Sequence, residues 1–141
     1  MIHAVFVYGT LKVGEERESC WPRPPLAVRA ATTSGQLYDL GPYPAMLAGE
    51  DRVLGELWFL RPEDVDVTLR ALDEVECYGV EDVDLYVRQC IECRELDDGS
   101  LHAAYAYFLA DAAEAQRHPR LTPRPDGLVA WQPRPTPPTR P

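Results

Sequence analysis

Long apolar runs are missing from this 141-residue sequence. No stretch approaches the roughly 20 consecutive apolar residues that a membrane-spanning helix requires, so no membrane association is expected. The N-terminus also lacks the basic start and the apolar stretch of a secretory signal, which predicts a cytoplasmic location. The length and an apolar content of 45% indicate one globular domain with a single core.

Basic residues are scarce in most of the chain. Up to residue 116 there are 9 Lys and Arg against 22 Asp and Glu. Such an acidic body repels phosphate backbones and anionic lipid surfaces. Neither nucleic acid nor a membrane is therefore expected as a partner.

Cysteines are few, and their spacing does not complete a metal site. The four are Cys20, Cys77, Cys90 and Cys93, and a cytoplasmic protein keeps such thiols reduced. Cys90 and Cys93 have the spacing of half a zinc site, but they fall within one predicted strand. Side chains an odd number of residues apart on a strand point to opposite faces, and no second pair supplies the other ligands. No metal site is predicted.

Proline sets the last part of the chain apart, recurring eight times from residue 119 onward. This composition does not form a packed domain. We therefore divide the chain into a domain at residues 1–116 and a proline-rich tail at residues 117–141. Residues 128–131 are the tail's one apolar cluster, which docks either on the domain or on a second chain of a homodimer. The Pro-X-X-Pro patterns also suit a recognition module, although a simple tail is the favoured interpretation.

The apolar segment at residues 4–7 predicts a strand that is buried on both faces. Gly9 follows, and a residue without Cβ lets the chain turn sharply or accept a close neighbour. Thr10 and Leu11 then continue into a loop whose N–H groups have no sheet partner. Such donors can bind an anion such as a carboxylate. The alternative is an ordinary strand-to-loop turn.

Further strands are predicted at residues 26–33, after Gly35, and at residues 53–60, 85–94 and 101–109. Two prolines restrict the turn around Tyr43 and orient its ring consistently, although a surface turn over a packed aromatic explains it equally. With about six strands and one well-formed helix, the pattern predicts a mostly antiparallel sheet curled into a small barrel.

The helix begins near Pro62, because proline suits a first helical position. Val65, Leu69 and Leu72 form one apolar stripe, and a further step of four reaches Glu76. Burial and the nearby helix C-terminus would both raise the pKa of that carboxyl group. Alternatively, the helix ends near Glu76 and turns the side chain to water. The neighbouring acids, including Asp73, are expected on a solvated surface.

Four segments, taken in order, resemble the gamma-glutamylcyclotransferase-like family. They are Tyr8-Gly9-Thr10-Leu11 and residues 35–46, 53–58 and 72–88. The resemblance implies an α+β fold, a small mostly antiparallel β-barrel with one main helix. It also implies a small γ-glutamyl substrate, whose α-amine attacks its own γ-carbonyl to form 5-oxoproline and release the attached amine.

The resemblance assigns roles to particular residues. Glu76 matches the catalytic glutamate, which would act as general acid and base. The substrate-binding residues would be Tyr8, Gly9, Thr10, Leu11, Tyr43 and Tyr86. No cofactor or metal is expected, because the nucleophile is already tethered to its target.

Two positions depart from the family pattern. Cys77 follows the glutamate where glycine is common, and Arg17 stands where asparagine is frequent. Either change could alter which leaving group fits. Two other functions stay open: a non-catalytic small-molecule binding module of the same fold, and an interaction protein that acts through its proline-rich tail.

Overall fold

The computed structural model describes residues 2–15, 17–41, 43–75 and 86–132. Glu76 and Cys77 therefore lie outside the described residues. The strands are β1 (Ala4–Val7), β2 (Ala27–Asp39), β3 (Pro44–Phe59), β4 (Tyr86–Glu95), β5 (Leu101–Leu109) and β6 (Leu128–Val129). The helices are α1 (Val65–Val75), which follows a 3₁₀ turn at Pro62–Asp64, and the single turn α2 (Ala112–Ala115). Among the described residues, neither helix has the length and apolarity of a membrane span.

Five strands close into a barrel. Around the ring, β1 is followed by β5, β4, β2 and β3, and β3 pairs again with β1. The pairings within the ring are antiparallel except for that of β1 with β5. β6 adds to β3 in parallel. The predicted α+β barrel with one main helix is confirmed.

β1 is the wall shared by two apolar clusters, because successive side chains on a strand alternate between its faces. Val5 and Val7 belong to the cluster that contains the α1 stripe. Ala4 and Phe6 belong to the second cluster, to which all five barrel strands contribute. The prediction of a strand buried on both faces is confirmed, and the chain leaves β1 directly into the loop at residues 8–11.

The α1 stripe is also confirmed, since Val65, Leu69 and Leu72 are all buried.

Two strands differ from their predicted bounds. β2 runs without a break through Gly35, where the register against β3 shifts. β3 begins at Pro44, well before the predicted start at residue 53. Proline is acceptable at the first position of a strand, because no ladder donor is needed there.

Residues 119–131 dock on the barrel. The amide of Leu121 donates to the Leu37 carbonyl at 2.9 Å, and the amide of Asp39 donates to the Pro119 carbonyl at 2.8 Å. Val129 and Trp131 are buried in the second cluster, with exposed fractions of 0% and 2%. Of the two surfaces predicted for residues 128–131, the barrel is therefore the one used. The homodimer and the boundary at residues 116/117 stay predictions, and residues 133–141 lie outside the described part.

Candidate active site

A small pocket opens where β1 ends. Its described wall consists of the end of β1, the following loop and one residue each from β3 and β5, namely Phe6, Val7, Tyr8, Gly9, Thr10, Leu11, Pro44 and Tyr107. The cavity among these residues has a volume of about 30 Å³. A cavity of this size has room for a small polar group such as a carboxylate. Four of the predicted substrate-binding residues thus line one cavity.

The loop after β1 is held through its carbonyl groups. The Gly9 carbonyl accepts from the amide of Lys12 at 3.1 Å, and the Thr10 carbonyl accepts from the amide of Arg17 at 2.7 Å. Within the described residues, the N–H groups of Gly9, Thr10 and Leu11 donate to no protein acceptor. Successive unpaired amides in a turn can bind an anion.

Gly9 is required by its neighbour across the pocket. A Cβ atom built on Gly9 would lie 2.7 Å from both Cγ and Cδ of Pro44. We predicted from the sequence that Gly9 allows a close neighbour, and in the structure that neighbour is the side chain of Pro44. Any side chain at this position must displace either the loop or the start of β3.

Two tryptophans hold the loop in place. The indole N–H of Trp21 donates to the Leu11 carbonyl at 2.9 Å, and its ring stacks on Trp58 with centroids 4.1 Å apart. Lys12 Nζ donates to the main-chain oxygen of Trp131 at 3.2 Å. The sequence carried no local signal for these contacts: Trp21 and Trp131 lie in proline-rich segments, and they are 10 and 119 residues from Leu11 and Lys12 in the chain.

The three tyrosines that were predicted to bind substrate differ in their positions relative to the pocket. The Tyr8 hydroxyl donates to the Tyr107 carbonyl at 2.5 Å within the pocket wall. The Tyr86 hydroxyl donates to the Pro44 carbonyl at 2.9 Å, and Tyr43 meets Tyr86 edge-on with centroids 6.4 Å apart. Tyr43 and Tyr86 therefore support the pocket through Pro44, whereas Tyr8 lines it.

An ion pair below the pocket corrects one prediction. Asp73 is not on a solvated surface: Arg88 Nη1 lies 2.6 and 2.8 Å from its two carboxylate oxygens, and the Tyr107 hydroxyl donates to Oδ1 at 2.6 Å. A negative charge is unfavourable in the last turn of a helix, and the Arg88 cation offsets it. Burial, together with Asp73, raises the pKa of Tyr107 well above its ordinary value, so the hydroxyl stays a donor. The pair ties the end of α1 to β4 and β5.

Replacing Asp73 with asparagine is expected to destabilise the fold by about 1–3 kcal/mol, because Arg88 loses its carboxylate while remaining partly buried. Urea unfolding measures the change. The matched control is Asp51→Asn, which breaks the more exposed pair with Arg120 at 2.8 Å and should cost less than about 1 kcal/mol. Equal losses in the two variants would show that the Asp73 pair has no special structural role.

The described residues contain no cluster of three or more side chains suited to hold a metal. Cys20, Cys90 and Cys93 are free thiols. Burial raises the pKa of the Cys93 thiol to about 12, so it is protonated at neutral pH. The role predicted for Glu76 falls outside the described residues and stays a prediction; Glu76 follows directly on the last residue of α1.

Comparison with known proteins identifies relatives of the whole barrel. The family model for gamma-glutamyl cyclotransferase, AIG2-like proteins matches residues 5–127. A gamma-L-glutamyl-butirosin B gamma-glutamyl cyclotransferase of Niallia circulans is 37% identical over 106 residues, which cover 73% of this chain and 64% of that relative. The chain thus spans slightly less than two thirds of the relative's length.

Solved structures agree with this result. An AIG2-like protein from Mus musculus superposes with a TM-score of 0.67 at 25% identity, covering 96% of this chain and 99% of the mouse protein. A protein from Arabidopsis thaliana superposes with a TM-score of 0.61 at 24% identity, covering 92% of this chain and 76% of the plant protein. The second likeness concerns the fold alone.

Proposed function

The chain belongs to the gamma-glutamyl cyclotransferase, AIG2-like family, and on this premise we propose that it converts a γ-glutamyl amine or a related γ-glutamyl compound into 5-oxoproline and the free amine. The observation that carries the proposal is the loop after β1. Its three adjacent amides have no acceptor among the described residues, and their residues line the pocket at the end of β1.

The amides of Gly9, Thr10 and Leu11 would bind the α-carboxylate of the glutamyl group or stabilise the oxyanion that develops on its γ-carbonyl oxygen. Hydrogen bonds to an anion are strong where water is excluded, and donors that are already in place need no reorganisation during the reaction. Trp21 and Lys12 hold the loop through main-chain oxygens, so its amides stay available.

In the proposed reaction, the α-amine nitrogen attacks the γ-carbonyl carbon. A ring C–N bond forms, the original amide C–N bond breaks, and a proton moves from the attacking nitrogen to the leaving one. Glu76 would carry that proton, first as base and then as acid. Glu76 directly follows α1 in the sequence. The ion pair between Asp73 and Arg88 fixes the last turn of α1 to the barrel. Because attack is intramolecular, positioning supplies much of the rate and no cofactor is proposed.

The proposal is tested by incubating the protein with γ-glutamyl amines, γ-glutamyl dipeptides and glutathione, and measuring 5-oxoproline by chromatography. At least one compound should give 5-oxoproline and free amine in equal amounts. The matched control is the corresponding α-glutamyl compound, which should give no product above the uncatalysed rate. If no γ-glutamyl compound reacts while 5-oxoproline still binds, the protein is instead a non-catalytic binding module.

A further inference from the structure

Two adjoining grooves lie on the surface next to the segment that follows the pocket loop. The first has a volume of about 410 Å³ and is lined by Lys12, Val13, Glu15, Glu56, Trp131 and Gln132. The second has a volume of about 420 Å³, and its wall includes Val13, Glu18, Trp21 and residues 22–25. Because Val13 lines both, we treat them as one surface and call it the Val13 groove.

Three carboxylates line the Val13 groove without a cationic partner. Within the described part of the chain, Glu15, Glu18 and Glu56 form no ion pair. Glu56 Oε1 accepts from the amide of Val13 at 2.9 Å, and Glu18 Oε1 accepts from the amide of Gly14 at 2.6 Å. The Glu15 carboxylate accepts no hydrogen bond from a described residue, so it is the one most available to a cation.

The two cations in the wall of the groove have other partners. Lys12 Nζ donates to the main-chain oxygen of Trp131 at 3.2 Å, and Arg23 Nε lies 3.9 Å from Asp64 Oδ1. Neither of these contacts is with a carboxylate of the groove. The groove therefore favours a cationic group that comes from outside its own wall.

The Val13 groove also has an apolar and aromatic part. Val13 is a large apolar side chain with an exposed fraction of 55%. Trp21 is half-buried and stacks on Trp58 with ring centroids 4.1 Å apart. Proline-rich segments in the polyproline II conformation bind to aromatic-lined grooves. A surface that adds carboxylates to such a groove suits a segment that is both proline-rich and basic.

The next nine residues of this chain have that composition. Residues 133–141 contain five prolines, two arginines and no acidic residue. They follow Gln132 directly, and Gln132 itself lines the groove. In the polyproline II conformation they would span about 28 Å, so a segment that starts in the groove is long enough to extend along it. A covalently joined segment also has a high effective concentration at its site.

We propose that residues 133–141 occupy the Val13 groove of their own chain, with Arg134 against Glu15 and prolines against Val13 and Trp21. Arg134 comes two residues after the last described one, and Glu15 lines the part of the groove where the described chain ends. The docked segment would cover residues 12–15, which directly follow the pocket loop. It would also close this surface to a proline-rich ligand from another protein.

Backbone ¹⁵N relaxation of the full chain tests the proposal through the amides of Thr136 and Thr139. A docked segment should have order parameters near those of the strands, about 0.85, whereas a free one gives values below about 0.6. Arg134→Glu and Glu15→Lys should each lower both values, because each places like charges together. The double variant, which exchanges the two charges, should restore them. Raising the salt concentration should lower the parent's values, since it screens exposed charges.

The matched control is Arg70→Glu. It makes the same change in charge at an exposed residue of α1 that does not line the Val13 groove, so both order parameters should stay as in the parent. The amide shifts of the barrel strands serve as a second control. They should be the same in all variants, which would show that the fold is intact.

Three results would overturn the proposal. Order parameters below about 0.6 in the parent would mean that the segment is free and open to a recognition module. High values that neither charge reversal lowers would place the segment elsewhere on the surface. High values that fall on dilution, together with a dimer in sedimentation, would assign the groove to the tail of a second copy. None of these measurements depends on turnover, so they are independent of the proposed reaction.

Discussion

Replacing Glu76 with glutamine is expected to lower kcat by about a hundred- to ten-thousand-fold, the usual contribution of a general acid–base group. Glutamine keeps the shape of the side chain and can still form hydrogen bonds, but it cannot take a proton from the attacking amine. The variant should therefore fold and still bind 5-oxoproline. Steady-state kinetics, calorimetric binding and thermal unfolding measure these three properties separately.

The matched control for this prediction is Glu74→Gln, two residues earlier on α1. The Glu74 side chain is exposed, so its substitution should leave kcat within about twofold and change stability by less than about 0.5 kcal/mol. If burial disfavours the Glu76 carboxylate, Glu76→Gln should be as stable as the parent or slightly more stable. Full activity in Glu76→Gln would contradict the mechanism, and another carboxylate would have to carry the proton.

Replacing Trp131 with alanine is expected to destabilise the fold by about 3–5 kcal/mol, the range for deleting a fully buried aromatic side chain. Trp131 has an exposed fraction of 2% and belongs to the second apolar cluster, together with residues of all five barrel strands. Its main-chain oxygen also accepts from Lys12 in the pocket loop. Loosening this segment should therefore weaken 5-oxoproline binding as well as the fold.

Urea unfolding measures the Trp131 effect, with Gln132→Ala as the control. Gln132 is the next residue and its side chain is exposed, so the change should cost less than about 0.5 kcal/mol. A Trp131→Ala protein as stable as the control would mean that the C-terminal segment is not part of the core.

The position of Trp131 also decides how the proline-rich tail should be tested. Deleting residues 119–141 would remove Val129 and Trp131 from the core, together with the anchor of Lys12. Loss of function after that deletion would report unfolding. Truncation after Gln132 removes the last five of the tail's eight prolines and keeps these contacts. If the tail is a simple extension, the shorter chain should retain full turnover and stability.

Elements with a strong local pattern could be predicted from the sequence. A continuous apolar run predicted β1, and side-chain periodicity predicted the stripe of α1 and the bounds of β5. The position of the pocket loop also followed, because Gly9 stands directly after a buried strand. These features depend on residues that are close together in the sequence, so a local sequence pattern is enough to predict them.

Features that depend on distant partners could not be predicted. Asp73 is typical of a helix surface until β4 brings Arg88 and β5 brings Tyr107 against it. Trp131 lies 119 residues from Lys12 in the chain, so nothing local indicates that it fixes the pocket loop. The early start of β3 depends on its pairing with the second half of β2.

The most direct test of the account is an NMR titration of the ¹⁵N-labelled protein with 5-oxoproline. We expect saturable downfield shifts of the amide protons of Gly9, Thr10 and Leu11, because these donors would acquire a carboxylate acceptor. 2-Pyrrolidinone, which has the same ring without the carboxylate, should shift them far less. If 5-oxoproline binds without moving these three amides, or if both compounds shift them equally, the loop after β1 is not the carboxylate site.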